Sequence, residues 1–296
     1  MSATLGSVTR LRYAAAACAL AFVATTLVAA QPSAAVGHLA PAAVAGVPRP
    51  DHIVLVMFEN KKFGDIYGSA SAPYLNTLAA TGALFTQSYG ITHPSQPNYI
   101  ALFSGSNQGV VGDVCPKTFT NRPNLATQLI TAGFTFTGYS ESMPSDGFTG
   151  CTAPKYARKH NPWVDFTNVP ASANRTFAAF PTDFSTLPTV AFVVPNLCND
   201  MHNCQVLTGD KWTKAKLSAY ANWAMTHNSL LILTFDEDDK TSVNQIFTLI
   251  VGQHVQPGAY AEQINHYTIL RTIEDAYGLS PLNNAASAAP ITDCWQ

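Results

Sequence analysis

Three continuous apolar runs in this chain are each followed at once by acidic, amide or imidazole side chains. The runs are His52–Phe58, Thr189–Pro195 and Leu230–Phe235. Apolar runs of this length are typical of strands that are buried on both faces in a parallel sheet. Open sheets of this kind bind their ligands at the carboxyl ends of the strands. The pattern therefore predicts one α/β domain with a polar site at one edge of the sheet.

The residues that follow the three runs are the first candidates for that site. They are Glu59 and Asn60 after the first run, Asn196, Asn199, Asp200 and His202 after the second, and Asp236, Glu237, Asp238 and Asp239 after the third. Any one of these side chains, taken singly, more often has a structural role than a catalytic or metal-binding one. Carboxylates gathered at one sheet edge would repel each other unless a cation offsets their charge. Mixed Asp, Glu and His ligation suits Zn²⁺, Mn²⁺ or Fe, whereas ligation by oxygen alone suits Ca²⁺ or Mg²⁺.

A hydroxyl group that could act at this site is found in the segment Thr92–Gly105. Pro97 suits the first position of a helix, so the helix is expected to begin there, with Ser95 just before it. The amino end of a helix attracts anions through its free N–H groups and its dipole. Ser95 would then be placed to attack a bound anion. A helix cap without any chemistry is the alternative interpretation of the same residues.

The rest of the chain alternates predicted helices and strands and contains one long connection. Helices are predicted over Ala72–Thr81, Asn124–Ala132 and Lys211–His227 and from Ile264 to about Tyr277, and strands over Ala83–Tyr89, Thr135–Tyr139 and Ile246–Val251. The loop-rich connection Ser140–Phe184 is long enough to be a functional cap or binding loop. Within it, the basic stretch Lys155–Trp163 is interpreted either as a clamp for an anionic substrate or as a solvated surface turn.

The first fifty residues are assigned to export rather than to the fold. Arg10 and Arg12 precede an apolar run that ends at small residues, which is the pattern of a secretory signal peptide over residues 1–30. A membrane anchor is the alternative, but threonines interrupt the run and an Ala/Pro-rich spacer, residues 31–50, follows it. Residues 51–296 form the predicted domain. We therefore expect a secreted, extracellular protein without a stable membrane anchor.

Charge and cysteine usage fit that assignment. Removal of residues 1–30, which contain two arginines and no acids, takes the formal net charge from −2 to −4. The remaining chain has no basic tract that would bind nucleic acid. Five cysteines then remain, and in an exported protein an odd count predicts two disulfides and one spare thiol. The short separation favours Cys198–Cys204, which leaves Cys115–Cys151 across a longer loop and Cys294 free; the alternative is that all are reduced.

Five short motifs occur in an order that is found in a known family. They are Phe58–Phe63, His93–Tyr99, Asn199–His202, Phe235–Asp239 and Asn265–Tyr267. The set resembles the bacterial phosphoesterase family of acid phosphatases and phospholipase C-type enzymes, and the resemblance extends from about Asp51 to Trp295. It implies an alkaline-phosphatase-like fold, which is a three-layer α/β/α sandwich with a mostly parallel central sheet.

The resemblance also implies a role for individual residues. Ser95 is implied as the catalytic nucleophile, and one or two divalent metal ions (Zn, Mg, Ca, Mn or Fe) are implied as cofactors. The implied metal ligands are Glu59, Asn60, Asp200, His202, Asp236, Glu237 and His266. His202 and His266 are also candidates for the catalytic group that protonates the leaving alcohol. The implied substrate-binding residues are His93, Asn98, Arg158 and His160.

A secreted, metal-dependent acid phosphatase is the function that follows. Its substrates would be phosphate monoesters, either small phosphate esters or phosphoinositide head groups, and its intermediate a phosphoserine at Ser95. A phospholipase C-type phosphodiesterase is the first alternative. A metal-independent serine esterase is the second, although the chain has no G-x-S-x-G motif. A secreted binding protein with a purely structural metal is the third.

Overall fold

The structure, a computed structural model, describes residues 46–296. The predicted signal peptide, residues 1–30, lies outside the described residues, as does the predicted spacer except for residues 46–50. Within the described part of the chain, no helix combines the length and the apolar character that crossing a membrane requires.

The described residues form ten strands, six α-helices and six short 3-10 helices. The strands are β1 (His52–Phe58), β2 (Ala83–Tyr89), β3 (Phe136–Ser140), β4 (Thr152–Ala153), β5 (Tyr156–Ala157), β6 (Asn174–Thr176), β7 (Val190–Val194), β8 (Ser229–Phe235), β9 (Thr248–Gly252) and β10 (Gly258–Asn265). The α-helices are α1 (Phe63–Ile66), α2 (Pro73–Thr81), α3 (Ser95–Ser104), α4 (Leu125–Thr131), α5 (Val206–Ala224) and α6 (His266–Ala276). Short 3-10 helices span Arg158–His160, Pro162–Asp165, Ala171–Ala173, Phe177–Ala179, Phe184–Thr186 and Asn283–Ser287.

Eight of the strands form one sheet, in the order β10-β2-β9-β8-β1-β7-β3-β6. Its neighbouring strands pair in parallel, except that β9 is antiparallel to both β2 and β8. β4 and β5 form a separate antiparallel pair within the long connection. The prediction of an α/β protein with a mostly parallel sheet is confirmed.

Helices cover both faces of this sheet and create two hydrophobic cores. Successive side chains of a strand point to opposite faces, so Leu55 and Val56 in β1 enter different cores. Leu55 packs in the core that contains residues of α3, α4 and α6. Val56 packs in the core that contains residues of α2 and α5. The predicted three-layer arrangement is therefore present.

The central position of β1 brings the polar ends of three strands together. β1 lies between β7 and β8, and its last residue, Phe58, is in register with Phe235. The backbone N–H of Glu59 donates to the carbonyl oxygen of Asp200 at 2.8 Å, and the N–H of Asp236 donates to that of Phe58 at 3.0 Å. The side chains that follow the three strands consequently meet at one sheet edge, as the sequence predicts.

Most predicted elements are shifted by one to five residues at an end, and the differences near the site are the ones with a physical reason. α3 begins at Ser95 and not at Pro97, which lies in the first turn, where its missing N–H leaves no helical bond unmade. α5 begins at Val206, earlier than predicted. β10 was not predicted, because its half-exposed residues form no continuous apolar run. It ends at Asn265, whose side chain caps α6, so that α6 begins at His266.

The disulfides are those that cysteine spacing predicts. Cys115–Cys151 and Cys198–Cys204 are bonded, and Cys294 is a buried free thiol. The first bond joins the segment after α3 to the start of the long connection. The second closes the turn that contains Asp200 and His202, and it thereby restrains one part of the candidate site.

Candidate active site

The loop that presents Ser95 is fixed by a side chain of its own helix. Asn98 is fully buried, and its Oδ1 accepts hydrogen bonds from the N–H groups of Ile91 at 2.9 Å and Thr92 at 3.1 Å. Its amide nitrogen donates to the carbonyl oxygens of Thr92 at 2.8 Å and Pro94 at 3.3 Å. These bonds fold the loop against the first turn of α3. The contact of Asn98 with phosphoryl oxygens stays a prediction.

The hydroxyl of Ser95 faces two carboxylates. Its Oγ lies 2.9 Å from Glu59 Oε2 and 3.1 Å from Glu237 Oε1. A serine hydroxyl has a single proton, so it donates to one of these carboxylates at a time. The backbone N–H of Asn60 donates to Asp236 Oδ1 at 3.1 Å and holds that carboxylate next to the other two. Four residues that follow two neighbouring strands, β1 and β8, therefore surround the predicted nucleophile.

The side chain of Asn60 adds a further oxygen to this group. Asn60 has a φ of 49°, in the left-handed region that asparagine tolerates. Its Oδ1 lies 3.3 Å from Ser95 Oγ and about as close to carboxylate oxygens of Glu59 and Asp236. Acceptors that face one another are stable when a cation lies between them, or when the amide turns over and donates. The oxygen-rich set suits a hard divalent cation.

Glu59, His160 and Asp200 form a compact group of metal-type ligands. All three are buried, and each offers a ligand atom within 4.8 Å of the others. His160 Nε2 lies 3.1 Å from Glu59 Oε1, and its Nδ1 lies 3.8 Å from Asp200 Oδ2. Neither His160 Nε2 nor Asp200 Oδ2 has a partner with hydrogen-bond geometry among the described residues. Because buried polar atoms are normally satisfied, a metal ion fits this group.

Burial controls the protonation of the site. Burial, followed by the charge of Asp200, raises the pKa of Glu59 to about 8, and burial raises the pKa of Asp200 to about 8 as well. Burial and the charges of its acidic neighbours raise the pKa of Asp236 well above its usual range. Burial lowers the pKa of His160 well below its usual range, which keeps the imidazole neutral. A divalent cation would offset the charge of these carboxylates and would accept a neutral imidazole as ligand.

Tyr99 belongs to the site, although it lies in an apolar part of the sequence. Its hydroxyl donates to Glu59 Oε1 at 2.5 Å, and its ring stacks on His160 with the centroids 5.0 Å apart. Tyr99 follows Ser95 by four residues in α3, so both side chains lie on the same helix face. That spacing is the sequence signal that could have identified it.

Two predicted histidines contact the acidic residues. His93 Nδ1 contacts Glu237 Oε2, and its Nε2 lies 3.1 Å from the carbonyl oxygen of Thr241. His266 donates through Nε2 to the backbone carbonyl of Asp236 at 2.7 Å, while its Nδ1 has no partner within the described part of the chain. Burial lowers the pKa of His266 to about 4. Both side chains orient site residues, and their assigned metal, substrate and acid–base roles stay predictions.

The other two predicted residues have different surroundings. His202 is exposed, its Nδ1 lies 2.7 Å from Asn203 Oδ1, and its ring centroid lies 6.3 Å from that of His160. Arg158 is buried and pairs with Asp165 at 3.0 Å. Its guanidinium also donates to three carbonyl oxygens of the surrounding loops. Arg158 therefore organises the long connection. Substrate binding by Arg158 stays a prediction, as do the metal-binding and acid–base roles of His202.

This arrangement suits attack by the Ser95 hydroxyl on a phosphate ester. The hydroxyl donates to a carboxylate of raised pKa, which in its ionised form is a stronger base than an ordinary carboxylate. The amino end of α3 attracts an anion to the same place. A phosphoesterase is the class of enzyme that this combination defines.

Comparison with solved structures identifies the fold. A protein of the alkaline phosphatase superfamily from Vibrio parahaemolyticus superposes with a TM-score of 0.57 at 13% identity, over 83% of this chain and 71% of that one. At this identity the similarity shows the fold alone. The expected alkaline-phosphatase-like fold is confirmed.

Comparison with known sequences then gives the family. The chain belongs to the phosphoesterase family, whose model matches residues 65–280. It is therefore an enzyme that hydrolyses phosphoric esters. It is 49% identical over 255 residues to the phosphatidylinositol-3-phosphatase of Mycobacterium tuberculosis, over 86% of this chain and 85% of that protein. It is 30% identical over 258 residues to an acid phosphatase of Aspergillus fumigatus, over 80% of this chain but only 57% of the fungal protein.

Proposed function

We propose that this chain is a secreted, metal-dependent acid phosphatase that hydrolyses phosphate monoesters through a phosphoserine at Ser95. The observation that carries the proposal is the position of the Ser95 hydroxyl, at the amino end of α3 and within hydrogen-bond distance of Glu59 and Glu237. A hydroxyl is a poor nucleophile near neutral pH unless a base or a metal takes up its proton. The two carboxylates supply a base at the required distance.

The residues around Ser95 fit a divalent metal ion. Those that would hold it are Glu59, Asn60, Asp236 and Glu237, with Asp200, His160 and His266 available for a second ion. His202 would either join that ion or act as the acid, and we assign it as the acid. The unpartnered atoms of His160 and Asp200 support this assignment. When bound, such an ion stabilises negative charge on phosphoryl oxygens and lowers the pKa of a hydroxyl that it contacts. Elemental analysis of the purified protein determines the number and identity of the ions.

The remaining steps involve only side chains and water. Ser95 transfers its proton to Glu59 or Glu237 as Oγ attacks phosphorus, and the alcohol leaves from the opposite side. His202, exposed next to His160, protonates the leaving alcohol, a role that typically contributes ~10²–10⁴-fold in rate. Water then attacks phosphorus, and the bond between phosphorus and Ser95 Oγ breaks. The carboxyl that was protonated in the first step returns its proton to Oγ, and the proton of the attacking water passes to His202, so that both groups are restored and inorganic phosphate is released.

The similar proteins support the substrate class, and the disulfides support secretion. One relative is named a phosphatidylinositol-3-phosphatase and another an acid phosphatase. We extend these names to this chain as an activity toward phosphoinositide head groups and small phosphate esters at acidic to neutral pH. The two disulfides form readily in oxidising compartments. They agree with the signal peptide that the sequence predicts.

The test is a substrate panel on the purified protein with and without a chelator. We expect faster hydrolysis of p-nitrophenyl phosphate and phosphatidylinositol 3-phosphate than of bis(p-nitrophenyl) phosphate. Exhaustive EDTA treatment should abolish this activity, and a divalent metal ion should restore it. Faster diester hydrolysis would instead identify a phospholipase C-type enzyme. Hydrolysis of p-nitrophenyl acetate that survives EDTA would identify a serine esterase.

A further inference from the structure

An ion pair between Asp113 and Lys159 lies against the amino end of α3. Asp113 Oδ1 accepts a hydrogen bond from the backbone N–H of Gln96 at 3.1 Å, and Gln96 directly follows Ser95. Asp113 Oδ2 lies 2.5 Å from Lys159 Nζ. The Asp113 carboxylate therefore bridges an N–H group of the helix start and a lysine ammonium. These are two kinds of donor that bind phosphoryl groups in proteins.

The backbone around this pair is held firmly, whereas its charged ends are accessible to solvent. Gln96 is buried, and its side-chain oxygen accepts from the N–H of Val114 at 2.6 Å. The disulfide Cys115–Cys151 links the same segment to the long connection. The side chains of Asp113 and Lys159 are 33% and 22% exposed. Both charged groups can therefore exchange partners with a ligand while the backbone stays in place.

The 3-10 turn that carries Lys159 directs its side chains to separate partners. Arg158 pairs with Asp165 inside the long connection, and His160 meets Glu59 in the ligand group. Lys159 lies between them in sequence and extends toward α3. Three basic side chains of the stretch interpreted as an anion clamp therefore have three different partners. Of these side chains, Lys159 supplies the cation at the start of α3.

A cavity beside the ion pair offers room for a ligand. Its volume is about 150 Å³, and its lining includes Asp113, Lys159, Thr152, Ala157 and the disulfide Cys115–Cys151. A substrate group that enters this cavity would lie next to the Lys159 ammonium. The cavity and the helix start thus give access to the same cation.

We propose that Lys159 binds the phosphoryl group of the substrate and that Asp113 holds this position until the substrate displaces it. The proposal rests on the phosphatase function proposed above. A phosphoryl group under attack by Ser95 lies at the start of α3, where Gln96 N–H and Lys159 Nζ donate to its oxygens. Asp113 presents a carboxylate to the same two donors and therefore competes with the phosphate. When displaced, Asp113 turns toward solvent, and its negative charge moves away from the phosphoryl group.

The test measures the inhibition constant of inorganic phosphate against p-nitrophenyl phosphate for four proteins. Lys159→Gln should raise this constant roughly tenfold or more, because a hydrogen bond between two charged groups is lost. Asp113→Asn should lower it about two- to fivefold, because the amide keeps an acceptor for Gln96 but no longer pairs with the lysine. In the double variant, Asp113→Asn should have no further effect, because the amide still competes for Gln96 N–H and the only competition that the substitution removes is the one for Lys159. The rise in melting temperature on adding phosphate measures binding without turnover. It should be largest for Asp113→Asn, intermediate for the wild type and smallest for the two variants that lack Lys159.

Controls separate this proposal from a bracing role of the ion pair. Lys155→Gln, an exposed lysine of the same basic stretch, should leave the inhibition constant unchanged. Lys159→Arg keeps the charge and should retain phosphate binding even if Lys159→Gln is less stable. Unchanged inhibition constants in both single variants would overturn the proposal. So would an Asp113→Asn effect that persists without Lys159, because Asp113 would then act through its charge alone. A wild-type protein that fails to hydrolyse p-nitrophenyl phosphate would instead refute the proposed function.

Discussion

Two groups of buried acids in this protein each contain a carboxyl whose pKa burial raises, but the two groups have different surroundings. In the Ser95 site, burial followed by the charge of Asp200 raises the pKa of Glu59 to about 8. In α6, burial raises the pKa of Glu274 to about 8 as well. Among the described residues, Asp200 and Glu274 each have a carboxylate oxygen without a hydrogen-bond partner. Neither a raised pKa nor an unpartnered oxygen therefore identifies the active site by itself.

The two groups differ in what they bring together. The carboxylates of the Ser95 site follow separate strands and meet a hydroxyl and an imidazole. Glu274 instead accepts from the backbone N–H of Leu282 at 2.9 Å, and the adjacent Asp275 pairs with Arg271 at 2.8 Å in the same helix. In the second group, a proton therefore neutralises Glu274, and Arg271 neutralises Asp275. The convergence of a nucleophile with ligands from several elements distinguishes the candidate active site.

Removal of the Ser95 hydroxyl should give the largest effect. We expect Ser95→Ala to lower kcat by more than about 10⁴-fold, because loss of a nucleophile closes the covalent route. Its melting temperature should change little, because the hydroxyl contributes a single hydrogen bond with a net value of about 1 kcal/mol. Turnover of p-nitrophenyl phosphate and calorimetry measure the two quantities. Glu274→Gln is the matched control and should keep the wild-type kcat. Equal loss of activity in both variants would remove the distinction between the two groups.

The acids of both groups should make the stability of the protein depend on pH, but only the contribution of the Ser95 site should change when a metal ion binds. A carboxyl whose pKa is raised by folding holds its proton in the native state, so stability is lost as pH rises from about 4.5 through about 8. Glu59, Asp200 and Glu274 all shift in this direction. His266, with its pKa lowered to about 4, acts oppositely between about pH 4 and 6.5. The metal-free protein should therefore melt at a lower temperature at pH 8 than at pH 5.

A divalent metal ion should reverse most of that loss, because it binds ionised carboxylates and stabilises the folded state that holds it. We expect an increase in stability of several kcal/mol at pH 8 and a smaller increase at pH 5, since one unit of pKa shift corresponds to about 1.4 kcal/mol. Calorimetry with EDTA or with added metal ion, at both pH values, measures the difference. A metal effect of the same size in Glu59→Gln would show that the ion binds elsewhere.

The strand ends of the first group could be predicted from sequence, because long apolar runs specify buried parallel strands with little ambiguity. Glu59 and Asp236 consequently lie side by side at the carboxyl ends of two paired strands, as the apolar runs before them predict. The first residue of the Ser95 helix cannot be read from Pro97, because proline is acceptable anywhere in the first turn. The three-layer fold and the ligand roles came from the family resemblance.

Residues delivered by irregular segments were harder to predict. The sequence places His160 with Arg158 in a basic stretch, and only the folded connection shows that one meets Glu59 while the other pairs with Asp165. Asp113 belongs to none of the predicted motifs, and a disulfide-linked loop brings it to the start of α3. Their positions depend on tertiary contacts, which local periodicity does not encode.

The smallest effect should come from the second acid group. Glu274→Gln should raise the free energy of unfolding by about 1–3 kcal/mol at pH 8 and by less than about 1 kcal/mol at pH 5, because the amide cannot ionise and keeps an acceptor for Leu282 N–H. Denaturant unfolding with EDTA present measures both values. The gain should be the same with metal ion added, since Glu274 lies outside the ligand group. A gain that disappears on adding metal would mean that the two acid groups are coupled, and the raised pKa of Glu274 would then need a cause other than its own burial.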